Sequence, residues 1–481
     1  MSSLTKRAVI LIACRVMNYG VLILSPIFLV RIFDMRSYGQ YREFVIYAML
    51  LSGVIGFGAN TNLLYFIPKY PSKERQSVTS TALFILLTSI IGTAAILIAG
   101  DLIRGKASYD FVLPLIAYVF FFINLDFYEH YWLGKKRTDY VLYYSTARIA
   151  VRTIAVIVVA YATRDVSSVL WAMIAVEASK CVFMLAIFRR FFARSLDRPL
   201  LREQLRFIVP IGSSAIITLV NSQLANFTIS LKMGVESLAL YSIGNHQIPV
   251  INIVRSSIMD VLFPEMTQTD DAGRLSLWRR ANVVFCFLIF PVYAVFFYFA
   301  PTFIELLFTA KYLAAVPLFR IYLTVILLQC FEMGTPLRAI NRNVYFIVGS
   351  AITLLVNIGF IVAFFGLLGF LTPGMAYILG EMSAVLYLGR MILGLYRLEL
   401  RELFLWRKVL RIAGACALAA PALFASRLVG LAKVPEAVVL SIAYLAVYFA
   451  IIRSFRIEEV ALLVEKARKR VLMRARRRPL S

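Results

Sequence analysis

Charge is scarce in this sequence. Only 16% of the 481 residues are Asp, Glu, Lys or Arg, where a soluble domain carries about a quarter. Acid is scarcest: 26 Asp and Glu stand against 51 Lys and Arg, and histidine occurs twice. The five cysteines (Cys14, Cys181, Cys286, Cys330, Cys416) all lie in apolar runs without a CxxC. That excludes a disulfide framework and a zinc-finger ligand set. Nucleotide and hydrolase signatures are missing as well. There is no Walker lysine loop, no HExxH and no GxSxG, and the glycines of GVIGFGAN (53, 56, 58) do not have dinucleotide-binding spacing. TDDAGR at 269–274 holds adjacent aspartates, but no sizeable soluble domain surrounds them for sugar transfer. The expectation is a protein that is not an enzyme, with no cofactor and no metal.

What is present is hydrophobic: 61% of residues, with mean hydropathy +0.81. Apolar runs of 18 or more residues recur along the chain, which predicts an all-α polytopic membrane protein. Segments of about ten residues with strict alternation, the mark of a membrane barrel, do not occur. The predicted spans lie near 8–33, 41–65, 77–100, 110–133, 140–162, 167–190, 207–231, 236–264, 281–304, 315–339, 343–365, 370–395, 407–428 and 434–453. An even number puts both termini on one side. Alternate connections starting from the N-terminus hold roughly three times the Lys and Arg of the others, so both termini are expected in the cytoplasm. The connection after the first span, with Arg31, Arg36 and Arg42, fits this least well. The net charge of +25 is therefore read as topology, and no nucleic acid partner is expected. The first run is too long for a signal-peptide core and is expected to be retained.

Connections are short, and the longest, FFARSLDRPLLREQLR at 191–206, is strongly basic. It divides an expected N-lobe of six helices (1–190) from a C-lobe of six (207–395), followed by two further helices (396–455). The tail from 456 to 481 reads as a basic amphipathic helix suited to an anionic lipid surface; a tail that only fixes topology is the simpler alternative. Two regions echo each other. RIFDMRSYGQYREFVIYAMLLSGVIGFGANTNLLYFIP (31–68) and LKMGVESLALYSIGNHQIPVINIVRSSIMDVLFP (231–264) each hold a polar turn, a small residue (Gly39, Ala239) and Tyr (Tyr41, Tyr241). Each closes on Pro (Pro68, Pro264), as expected of two parallel halves.

The stretch DMRSYGQYREFVIYAMLLSGVIGFGANTNLLYFIPKY resembles the second span of the polysaccharide transporter, or Wzx-type, flippases, with NFTISLKMGVESLALYS…LFPEM matching the second half. That family belongs to the multidrug/oligosaccharidyl-lipid/polysaccharide exporter superfamily. Lys232 departs from the pattern, standing where many relatives carry an acid. The resemblance implies two lobes around a central cavity in the inner, cytoplasmic membrane. It also implies transfer of a polyprenyl-diphosphate-linked oligosaccharide, a precursor of a surface glycan such as lipopolysaccharide or exopolysaccharide, with polysaccharide assembly proteins as further partners.

The intramembrane charges bear on that expectation. VLYYSTARIAVRTIAVIVVAYATR (141–164) places Arg148 and Arg152 one turn apart on one helix face. An arginine near the membrane centre costs about 2.5–3.5 kcal/mol on the insertion scale, so something must offset it. Arg15, Lys180 and Arg255 are predicted in the cytoplasmic half of their spans, where a diphosphate would arrive, and arginine matches phosphate bidentately. Other readings exist for the same residues. Lys180 and Arg390 are near enough to helix ends to snorkel, Arg255 has Asp260 close in sequence, and Glu177 is placed to pair with Lys180 or an arginine of the fifth span. Asn60 and Asn226 are candidates for a sugar-binding wall, with helix–helix hydrogen bonding as the alternative. Glu177 and His246 are the candidates for a coupling proton or ion. The expected function is flipping of a lipid-linked oligosaccharide. The alternatives are a drug or small-cation exporter, which wants a carboxylate-rich cavity, and a membrane-embedded polymerase or ligase, which wants a large external loop.

Overall fold

The computed structural model describes residues 3–100, 110–189, 192–193, 195–246, 255, 258–259, 262–263, 265–340, 342, 344–428 and 432–461. The side chains of 3–16, 19, 211, 214 and 426–428 lie outside the described residues. Among those described, every regular element is helical. The chain divides into two compact units, 1–243 with 368–373, and 244–367 with 374–481.

Among the described residues, ten helices are long and apolar enough to cross a membrane, or eleven when a bent pair counts as one. The difference from the expected fourteen has identifiable sources. The first helix, α1 (Ser3–Ile32), is 30 residues long, but its side chains are described mainly from Gly20 on. The run Val344–Tyr396 contains two helices. Most of the eighth predicted span falls on 247–264, largely outside the described residues.

In the first unit, α2 (Met35–Gly56) starts where the Asp34 carboxylate accepts the Ser37 amide at 2.8 Å, an N-cap that satisfies one of the free first-turn donors. Gly39, from the Tyr-Gly pair of the quoted motif, is required by packing. A Cβ there would lie 2.1 Å from the Val235 carbonyl oxygen. The helix stops at Phe57 and Gly58, both left-handed (φ 51° and 62°), and the chain turns by 46° through a 3-10 turn, Ala59–Asn62, into α3 (Leu63–Lys69). The last glycine of GVIGFGAN, Gly58, thus marks a break inside a span, while Gly53 and Gly56 belong to α2.

After α4 (Glu74–Ile98) the fourth span is also broken, into α5 (Val112–Ile123) and α6 (Tyr128–Gly134). Asn124–Phe127 joins them, with Leu125 at φ 57°. Next come α7 (Thr138–Thr163) and α8 (Val166–Phe188). Arg164 takes the left-handed turn, and Asp165 caps α8 through the Ser168 amide at 2.8 Å. That amide and the Ser168 hydroxyl hold the Asp165 carboxyl below the ordinary carboxylate range. Finally α9 (Arg198–Gly244) is interrupted at Gly234 (φ 82°, ψ 178°). Residues 198–206, expected in a connection, already form its first turns. Lys73 pairs with Asp197 at 2.7 Å and Lys69 with Glu203 at 2.9 Å, which fixes this start against the end of the second span.

The first unit packs around Leu63, Ile67, Val78, Phe127, Tyr131, Met184 and Phe188. Lipid tails are as apolar as these side chains, so dispersion and interhelical hydrogen bonds hold such a bundle together. One network serves this. The Ser80 hydroxyl bonds Gln204, whose amide donates to the Ser77 carbonyl at 3.3 Å, while Thr81 donates to Asn62 at 3.0 Å.

The second unit contains α10 (Asp271–Tyr298), α11 (Ala300–Phe308), α12 (Val316–Gln329), α13 (Gly334–Ala339), α14 (Val344–Leu368), α15 (Thr372–Tyr396), α16 (Trp406–Ala419) and α17 (Lys433–Ser454). Its core gathers on Trp278 with Met266, Leu337, Ile392 and Phe404. Tyr448 donates to the Phe287 carbonyl at 2.8 Å, tying α17 to α10. Cys286 and Cys330 are buried free thiols and Cys416 is partly buried. Residues 462–481 of the expected tail helix lie outside the described residues.

Candidate functional site

Breaking a helix inside a membrane has a cost, because carbonyls lose their partners where no water can replace them. The break between α5 and α6 answers it with charge. Lys180 on α8 donates to the Phe122 carbonyl at 2.7 Å. Cys181 lies against the Phe121 and Asn124 carbonyls at 3.3 and 3.5 Å, and the Asn124 side chain reaches Ser89 at 2.8 Å. The end of α5 is also the negative pole of a helix dipole, where cations are favoured.

The same break carries Asp126 into the bundle, and five ionic groups meet there. Arg148 bonds Asp126 and lies 3.1 Å from Glu177. Lys180 is 3.3 Å from Glu177 and 3.9 Å from Asp126. Arg152 stands 3.9 Å from the second oxygen of Glu177. Three cations and two carboxylates leave a net charge of plus one. The side chain of Glu177 is fully buried, while Arg148 is 17% and Arg152 31% exposed. Aromatic faces complete the shell: Arg148 and Lys180 each lie 5.7 Å from the Phe122 ring centre, and Arg152 lies 5.5 Å from that of Tyr118, within cation–π range.

Four of the sequence-predicted residues, Arg148, Arg152, Glu177 and Lys180, therefore come together. The guanidiniums at mid-span are offset chiefly by Asp126 and Glu177. Asp126 is not singled out by the sequence; its signal is the polar NLDF interrupting an apolar run.

The others lie elsewhere. Asn60 sits in the 3-10 turn at the second-span break, its Oδ1 buried without a hydrogen-bond partner. Asn226 is buried on α9, its amide donating to Gln223 at 3.0 Å. The side chain of Arg15, on α1, lies outside the described residues. In the second unit, His246 packs 5.6 Å from Phe308, centre to centre. Arg255 acts electrostatically on Glu381 of α15, a carboxylate that sequence reasoning missed, and Glu381 also hydrogen-bonds Tyr377. Asp260, considered as a partner for Arg255, lies outside the described residues. Arg390 is exposed on α15. Among the described residues no group of three or more His, Cys, Asp or Glu is arranged to hold a metal ion.

Known proteins share this architecture. A lipid II flippase, MurJ, in an inward closed conformation aligns with TM-score 0.73 at 13% identity, over 94% of this chain and 98% of its own. An inward-facing multidrug resistance MATE family transporter of the MOP superfamily aligns with TM-score 0.54 at 16% identity, covering 80% and 96%. A MOP superfamily transporter from Pyrococcus furiosus aligns with TM-score 0.52 at 15% identity, covering 82% and 97%. At these identities the likeness is one of fold. A comparison with curated proteins by sequence finds no match. Residues 28–317, well over half of the chain, match the family described as polysaccharide biosynthesis protein, and the chain belongs to that family.

Proposed function

We propose that this protein flips a polyprenyl-diphosphate-linked oligosaccharide across the inner membrane, with both termini in the cytoplasm. The observation that carries the reading is the net-positive cluster of Arg148, Arg152 and Lys180 at mid-span, in a family named for polysaccharide biosynthesis. A diphosphate entering a membrane cavity must shed water, and fixed cations lower that cost. Arg152, the most exposed of the three, is best placed to meet it, with Arg148, Lys180 and Arg15 extending the positive field and Asn60 and Asn226 offered to sugar hydroxyls; Arg255 is a substrate contact proposed for the second unit by itself. A cation exporter would need the opposite sign. The membrane potential, inside negative, favours outward movement of the anion by about 2.3 kcal/mol per charge per 100 mV. Should the potential not drive transport, Glu177 and His246 are the first residues to test for a coupled proton or ion. The basic tail would rest on anionic lipid, and polysaccharide assembly proteins would take up the product.

The test is reconstitution into vesicles with a fluorescent lipid-linked oligosaccharide and a membrane-impermeant quencher. Protein-dependent loss of protection of the inner-leaflet pool, slowed by collapsing the potential, is expected. Exchange of an organic cation without movement of the lipid would overturn the reading in favour of an exporter.

A further inference from the structure

The ion cluster has a second face. Between α7 and α8 lies an open groove of about 400 Å³ whose floor includes Arg148 and Lys180, and Arg152 is not part of it. Along α7 the groove is lined by Tyr140, Tyr144 and Arg148, four residues apart and so on one helical face. The groove runs from Arg148, whose guanidinium meets Asp126 and Glu177, to Tyr140 at the start of α7. There the membrane-surface pattern is present: Tyr140 stacks on Trp132 at 4.4 Å, and the Arg137 guanidinium lies 4.4 Å from the Tyr140 ring centre, as interfacial aromatic and basic residues do. The walls face lipid, since Tyr143 is 75%, Val151 55% and Phe183 50% exposed.

Two features of this groove ask for an anion. The five groups beneath it carry one positive charge in excess, with the next acid, Glu129, taken by the Ser145 hydroxyl, in a medium of low dielectric where an unbalanced charge is costly. The Tyr144 hydroxyl is buried without a hydrogen-bond partner although it borders the groove, and such groups in native structures normally have one. A phosphodiester supplies both needs. Its single negative charge balances the cluster, and its oxygens accept from the Tyr144 hydroxyl and the guanidinium. We infer that the groove is a site for an anionic phospholipid of the surrounding bilayer, its phosphate over Arg148 and Tyr144 and its chains along Val151 and Phe183. The inference shares the cluster's positive charge with the proposed function but does not need the transported substrate, so lipid retention and flipping fail separately.

The full-length protein, purified in detergent, is to be delipidated and examined by native mass spectrometry with added phosphatidylglycerol, phosphatidylethanolamine or a short polyprenyl diphosphate. One tightly held phosphatidylglycerol is expected, retained at least tenfold better than phosphatidylethanolamine. Tyr144→Phe should weaken retention severalfold. Ala147→Trp, which fills the groove, should abolish it, and Ser179→Leu on the facing wall gives a second filling variant if Ala147→Trp does not fold. Equal retention of the two phospholipids, or unchanged retention in a folded groove-filling variant, would overturn the site. Displacement of phosphatidylglycerol by equimolar polyprenyl diphosphate would overturn it too, making the groove a path for the substrate instead.

Discussion

The helices α8 and α15, the sixth predicted span of each half, carry one carboxylate each near their middle, Glu177 and Glu381. The local sequences share Glu and, two residues on, Ser: Glu177-Ala-Ser179-Lys180 against Glu381-Met-Ser383-Ala384. The surroundings do not. Glu177 is wholly buried among Arg148, Arg152 and Lys180, with Asp126 closing the group. Glu381 is only partly buried, where a tyrosine hydroxyl and the charge of Arg255 act on it. A buried carboxylate among three cations is a structural necessity for those cations. A carboxylate beside one cation and one hydroxyl is a much smaller commitment. One framework position has become the keystone of an ionic cluster in one half and a single polar contact in the other.

The sharpest way to break this comparison is to remove both carboxylates in turn. Glu177→Ala leaves three cations facing Asp126 alone, and removing one partner of a buried charge group costs about 3–5 kcal/mol. Glu381→Ala should cost about 1–3 kcal/mol, the scale of one lost buried hydrogen bond. Equilibrium unfolding in mixed micelles reads both. Equal losses would mean that the two positions do the same work.

The next effect is on transport. Arg152 has one long ion contact, to Glu177, and the face of Tyr118, so Arg152→Ala should reduce surface glycan or vesicle flipping at least tenfold, about 1.4 kcal/mol in the barrier, with protein level unchanged. Arg148→Ala should lower both export and stability, since Arg148 bonds two carboxylates. Lysine at 152 should restore part of the rate, being a point charge without the guanidinium fork. Normal export by Arg152→Ala would remove the cluster from the transport path.

Lys180 and Ala384 sharpen the comparison further. Lys180→Ala leaves the Phe122 carbonyl without its donor at the α5–α6 break, which should cost about 1–3 kcal/mol. Ser179→Ala, one residue away on an exposed face, should stay within about 0.5 kcal/mol, as surface changes do. A loss at Ser179 as large as that at Lys180 would show that the break is not what Lys180 supports.

How far the sequence reveals this cluster follows from spacing. Arg148 with Arg152, and Glu177 with Lys180, are one helical turn apart, so each pair's shared face is legible in the sequence alone. That the pairs face each other depends on which helices pack together, which periodicity does not encode. Asp126 and Glu381 escape for another reason: neither has a Lys or Arg one turn away in its apolar run, and only the fold decides what it touches. The helical class and most spans follow from hydropathy alone. The breaks are harder. GVIGFGAN invites comparison with a nucleotide motif, and instead a span bends at its Phe57 and Gly58. NLDF offers no glycine or proline to mark the second break, because Leu125 itself takes the left-handed conformation.

The hairpins that lead into the two compared helices give the smallest and cleanest test. Each turns on one left-handed residue, Arg164 at φ 52° before α8 and Gly369 at φ 51° before α15. Glycine takes this conformation freely, whereas a residue with a Cβ crowds the following carbonyl at a cost of about 1–2 kcal/mol. A Cβ at Gly369 would meet nothing within 4 Å, so Gly369→Ala isolates the conformational term and should destabilise by about 1 kcal/mol. Arg164→Gly should do the reverse in the folded state, but the freer unfolded chain takes back about 0.4–1 kcal/mol. The expected net gain at 164 is therefore below about 1 kcal/mol. Both changes lie away from the ion cluster, so flipping rates should not move. A loss at Arg164→Gly comparable to that at Gly369→Ala would mean that the Arg164 side chain, and not its backbone, holds the first hairpin.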